Sequence, residues 1–153
     1  MAGSIVTTQT LVDRGLPSLV GSIAGGLRKV IKTSIAWTSD AAGAVSANTV
    51  AMPAGSICSV QFTPSGGGTA PTTLYDVTFT NANGVNLFDD GTGTSIGADL
   101  SATVSTLKVP FIAGGASTFV RAWLAGGTYT PVVAAAGNAK QGTIIVYQVL
   151  DVL

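Results

Sequence analysis

From Lys29 onward, apolar side chains recur at every second residue, and no stretch carries them at the spacing of an amphipathic helix. A period of two sends alternate side chains to opposite faces, so the pattern predicts half-buried antiparallel strands. Ile31, Thr33, Ile35 and Trp37 share one face of the first run, opposed by Lys32, Ser34 and Ala36. Tyr75, Val77 and Phe79 share a face of a later run, opposed by Asp76 and Thr78. Val, Ile and Thr are plentiful and Glu is absent, which suits a pleated surface better than a helix.

Turn residues divide these runs. The spacing predicts strands over 29–37, 45–52, 56–63, 73–80, 85–88, 100–111, 119–124, 128–133 and 143–149. Turns are expected at 39–43, at Pro53-Ala54-Gly55, at Pro64-Ser65-Gly66-Gly67-Gly68 and at Ala125-Gly126-Gly127. Asn81-Ala82-Asn83-Gly84 is the clearest hairpin signal, because Asn-Gly supplies the positive φ angles of a tight turn. Pro110 marks a strand end or an edge, and the irregular placing of Val104 and Leu107 suggests a bulge. The run 143–149 is the most hydrophobic and is expected at the centre of its sheet.

About eight strands at this spacing predict an all-β antiparallel sandwich or barrel. At 153 residues one domain is expected, able to bury roughly 68–70% of its unfolded surface without staples. We assign residues 29–153 to the β domain. Residues 1–28 read differently: 5–11 suits a strand, whereas 15–26 is rich in Gly and Ser. This segment is either an edge strand with a loop, or an extended N-terminal arm reaching a neighbouring subunit. Gly21 and Gly25 have the spacing of membrane-helix dimers, but the apolar stretch 16–27 is far below the roughly 20 residues of a span. With no basic, then apolar, leader at Met1, the chain is expected to be soluble, without a membrane partner.

Charge sharpens the functional reading. Charged residues make up 9% of the chain and cancel to zero, against a usual share of about 25%. Neutrality favours association, so faces of Thr, Ser, Ala and Gly are expected to end in contacts and the chain to be a homo-oligomer. Nucleic acid is not an expected partner, since Arg28, Lys29 and Lys32 form the densest basic cluster. Those three are read as a solvated edge that blocks aberrant pairing.

Catalytic constellations are missing. With no His, neither Ser-His-Asp nor Cys-His chemistry is available. Cys58 is the sole cysteine, and strand parity with Val60 and Phe62 predicts a buried small hydrophobe. Asp89 and Asp90, helped by Asp76, Asn86 or Asp99, offer oxygens for Ca²⁺, though an Asp/Gly-rich hairpin end is the preferred reading. The glycine runs 64–69 and 91–97 lack the Lys and helix start of a phosphate loop. Trp37 and Tyr75 fall on apolar faces and are assigned to the core, whereas Trp123, beside Phe119 and Arg121 on its face, is the candidate for a saccharide platform. No catalytic, cofactor or metal residue is assigned, and an enzyme is not expected.

Several segments resemble a group of small tailed-phage proteins encoded near virion structural genes. They are Trp37-Thr38-Ser39-Asp40-Ala41-Ala42-Gly43, Pro64 to Gly68 leading into Pro71-Thr72-Thr73-Leu74-Tyr75-Asp76-Val77-Thr78, Asn83-Gly84-Val85-Asn86-Leu87-Phe88, Gly91-Thr92-Gly93, and Ala136 through Tyr147. The resemblance spans roughly Ile35 to Tyr147; the longer N-terminal segment and the extension from Gln148 to Leu153 depart from it. It implies a virion component, and specifically a capsid cement (decoration) subunit that binds the major capsid protein lattice and stabilises the head. The implied location is the phage head surface, with the host cytoplasm during assembly. The alternatives are a tail, neck or baseplate component, and a carbohydrate-binding module on the virion surface.

Overall fold

A computed structural model describes residues 2–12, 29–45, 48–89, 95–108, 111–113, 119–121 and 123–150. Nine strands are present among them: β1 (Ser4–Val12), β2 (Lys29–Thr38), β3 (Val50–Pro64), β4 (Asp76–Asn81), β5 (Thr106–Lys108), β6 (Phe111–Ala113), β7 (Phe119–Arg121), β8 (Trp123–Ala134) and β9 (Gln141–Leu150). The fold is all-β and antiparallel, as the period of two predicts. Seven strands form one sheet in the order β1-β2-β9-β3-β8-β4, with β5 also on β3, while β6 and β7 form a separate pair. The hydrophobic run expected at the centre is β9, flanked by β2 and β3.

The long strand β3 serves two halves of this sheet. Its Val50–Ser56 part pairs with β8, its Ser56–Pro64 part with β9, and Val60–Phe62 pair with β5 on the other edge. The sheet folds over at this strand, and its inward faces meet. Trp37 of β2 and Tyr75 beside β4 lie near opposite ends of the strand order, yet their ring centroids are 5.7 Å apart. Phe88 links the layers further, edge-on to Phe62 at 5.5 Å and stacked on Phe79 at 5.5 Å. Ile35, Ile57, Val60, Val77, Leu124, Val133, Ile144 and Val146 complete the core. Among the described residues the strand order does not close into a barrel, so the packing is sandwich-like.

The structure corrects several local expectations. Pro53-Ala54-Gly55 and Ala125-Gly126-Gly127 are not turns; β3 and β8 continue through them, and the two segments face each other. Met52 pairs with Gly127 and Ala54 with Ala125, and Pro53 falls between these pairs, where its missing N–H costs no ladder bond. The Pro53 carbonyl instead accepts from Gln148 Nε2 at 3.1 Å. A Cβ on Gly55 would collide with the Val149 carbonyl, so the bend requires glycine where β3 crosses β9. Together the two segments form a corner.

The predicted strand over 45–52 is split: Val45 makes an isolated bridge to Val133, and β3 begins at Val50. The run 100–111 reduces to a Leu100–Tyr75 bridge, β5, and the start of β6. The hairpin turn at 81–84 forms, with Asn81 Oδ1 accepting from the N–H groups of Asn83 (2.9 Å) and Val85 (3.0 Å). Its partner strand over 85–88 shrinks to one Thr80–Asn86 bridge. The reason is chemical: Asn86 Oδ1 takes the Phe79 N–H at 3.0 Å and the Phe88 N–H at 3.1 Å, replacing ladder bonds.

Ser4–Val12 is the edge strand of the sheet, in unbroken register with β2 from Ser4↔Thr38 to Val12↔Val30. Lys29 and Lys32 therefore do not guard an edge, because β2 is covered by β1 on one side and β9 on the other. Arg28 lies outside the described residues, as does the Gly- and Ser-rich stretch 15–26.

Candidate functional site

Cross-strand pairing defines a broad outer face on the β1-β2-β9-β3-β5 part of the sheet. Directly paired residues lie on the same face, so the registers can be followed across the strands. One row runs Thr8, Ser34, Ile145, Gln61, Leu107; the next runs Thr10, Lys32, Tyr147, Ser59. The flanking rows are Val6, Ala36, Thr143, Thr63 and Val12, Val30, Val149, Ser56. Lys32 is the one charged residue in these four rows. None of these side chains is buried, and Val6 and Leu107 are 68% and 64% exposed. An exposed face of Val, Ile, Tyr, Thr and Ser with one charge is a surface suited to docking.

A groove of about 480 Å³ lies on this face, lined by Val12, Val30, Cys58, Ser59, Gln61, Leu107 and Tyr147. Its position follows from a bulge. The β3–β9 register shifts between Ile57 and Ser59, so Ile57, Val60 and Phe62 all point into the core and Ser59 and Gln61 point outward. This corrects the expectation for Cys58. The thiol is half-buried on the groove side rather than packed with Val60 and Phe62, 3.9 Å from the Ser56 carbonyl. A smaller depression of about 220 Å³ lies at the other end, lined in part by Ser4, Val6, Ala36 and Thr143.

Charged side chains elsewhere act as local fasteners. Asp40 Oδ1 accepts from the N–H groups of Ala42 and Ala44, both at 2.9 Å, closing the 39–43 turn. Lys140 Nζ donates to the Gly68 carbonyl at 2.9 Å and fixes the Gly67–Thr69 segment, which forms a short 3₁₀ turn rather than a phosphate cradle. Asp76 Oδ1 accepts the Asp99 N–H at 2.9 Å, so these two candidate Ca²⁺ ligands meet, but the carboxylate serves as a backbone acceptor. Asn86 spends its oxygen on Phe79 and Phe88, and Asp90 lies outside the described residues. Among the described residues no group of three or more His, Cys, Asp or Glu is arranged to hold a metal ion.

Trp37 and Tyr75 are buried in the core, leaving no platform for a sugar at either position. Burial pushes the Tyr75 phenol up to about 12. Trp123 belongs to β8, but its side chain lies outside the described residues. No described helix is long and apolar enough to cross a membrane. Sequence reasoning missed the groove, because nothing between Ser56 and Phe62 marks the bulge that creates it.

No family model, curated protein or solved structure matches the chain.

Proposed function

We propose that this chain is a capsid cement subunit of a tailed phage, joining the major capsid protein lattice by surface contact rather than by chemistry. The observation that carries the reading is the outer sheet face, four strand-crossing rows that contain a single charge. A face of that kind gains by burial and carries few groups whose desolvation opposes docking. The resemblance read in residues 35–147 to small tailed-phage virion proteins is the ground for the capsid partner and the head-surface location, both of which belong to this proposal.

The test is copy number and position. Purified virions are expected to hold the chain in many copies, and an electron-microscopy map should place it at lattice junctions with the outer face against coat subunits. A few copies at one vertex or along the tail would make it a neck or tail component instead. Absence from virions would end the proposal.

A further inference from the structure

Native sheets blunt long open edges with Lys, Pro, bulges or a covering loop, because an unpaired row of N–H and C=O groups is a template for another strand. The edge beyond β4 is covered: the Val77 N–H donates to Gly97 (2.7 Å), while Leu87 donates to Phe79 (2.8 Å) and Leu100 to Tyr75 (2.9 Å). The edge strand β5 is three residues long. Among the described residues β1 differs on each of these points. It is nine residues long, carries no charge and no proline, pairs without a bulge, and among the described residues has no backbone partner besides β2. Val6 and Leu11 on it are 68% and 53% exposed. The strand is also held in place, since Ile5 packs on the core and Gln9 Nε2 donates to the Ala51 carbonyl at 2.8 Å. A preorganised edge loses little freedom on pairing.

We propose that β1 pairs antiparallel with β1 of a second copy, about a two-fold axis through Thr8. Self-pairing is favoured over an unlike strand because this edge complements itself. The axis sets Val6 opposite Thr10 of the second copy and Ile5 opposite Leu11, with no like charges facing each other. It also sets Val12 opposite Ser4 of the second copy. The groove at Val12 of each subunit then runs into the depression at Ser4 and Val6 of the other, and the two outer faces become one continuous surface. Nine residues a side is smaller than a standard interface, so the dimer is reversible and its population depends on concentration. The inference concerns the purified chain and does not rest on the virion reading.

Sedimentation velocity over a concentration series tests it. The wild-type chain is expected to pass from monomer to dimer. Val6→Lys/Thr10→Lys and Val6→Asp/Thr10→Asp should each stay monomeric, with unchanged circular dichroism, and their equimolar mixture should dimerise through facing Lys–Asp pairs. As a second readout, Thr8→Cys in a Cys58→Ser background should oxidise to a covalent dimer that Ser4→Cys does not form. A wild-type chain that is monomeric at every concentration overturns the proposal. So does an oligomer indifferent to the charge variants, or a monomer whose β1 is needed for binding capsids, which would give the edge to a coat-protein strand.

Discussion

Gly142 offers the sharpest test of how the core is packed. It lies in β9 directly opposite Trp37 of β2, and the indole occupies the space a side chain would take. A Cβ on Gly142 would sit 2.5 Å from Trp37 Cζ2, 2.8 Å from Cε2 and 3.0 Å from Nε1. Carbon atoms in comfortable contact are about 3.5–4.0 Å apart, so the ring would have to retreat by about 1 Å. Trp37 is 3% exposed and packs on Tyr75, itself 1% exposed, so the retreat has nowhere to go. Overpacking of this kind costs about 1–3 kcal/mol, and the restriction of the unfolded chain by alanine returns about 0.4–1 kcal/mol. Gly142→Ala should therefore destabilise by about 1–2 kcal/mol, lowering Tm by about 3–6 °C for a chain of this length. Trp37→Phe, which shortens the ring system, should cost less in the Gly142→Ala background than alone, with a coupling of about 1 kcal/mol. Urea titrations of the four proteins, followed by far-UV circular dichroism, measure the free energies and the coupling, and thermal melts measure the Tm shift. An additive cycle, or a Gly142→Ala variant as stable as wild type, would refute the steric account.

The remaining predictions concern the core, the pH range and the surface. Thr33 is fully buried and its Oγ1 has no protein partner; Thr33→Val should raise stability by about 1 kcal/mol, read from the urea midpoint, since an unpaired hydroxyl is removed and the shape kept. Tyr75 is held protonated in the fold up to about pH 12, against 10.0 when unfolded. Its raised value means that stability is unaffected by this group below pH 10 and declines as pH rises from there through about 12; Tyr75→Phe should flatten that decline in denaturation curves. On the outer face, Ala36→Lys and Leu107→Lys alter exposed positions, and each should leave Tm within about 2 °C while reducing incorporation into particles, measured by quantitative mass spectrometry. Removing residues 1–28 should leave a folded core that has lost about 1–2 kcal/mol, mainly through Ile5, with weakened incorporation because the joined outer face is lost; wild-type incorporation would mean that pairing through β1 is not needed for assembly.

The inward faces were legible from the period of two alone: Thr33, Ile35 and Trp37 on β2, and Tyr75, Val77 and Phe79 at β4, are all buried. The corner was not. Pro-Ala-Gly and Ala-Gly-Gly have the same local preferences whether the chain reverses or a strand bends, and what decides is the facing of Met52 with Gly127 and Ala54 with Ala125 across two strands. A contact between residues so distant in sequence leaves no local trace. Cys58 went astray for a related reason, since one inserted residue at a bulge inverts the parity on which the assignment rested.

The hydrophobicity of β9 has two physical sources that the sequence merges into one. Gly142, Ile144, Val146 and Gln148 face the core, as a central strand requires. Ile145, Tyr147 and Val149 alternate with them and therefore lie on the outer face, where they are half-buried. Centrality within a sheet explains the first set and gives no reason for the second, because an outward position on a central strand is as wet as one on any other when nothing covers it. Had the outer positions been Thr or Lys, the same strand would still sit between β2 and β3. The apolar outer set is thus a separate demand on the sequence, and it falls in the middle of the four strand-crossing rows that carry a single charge, where a contact surface would need it.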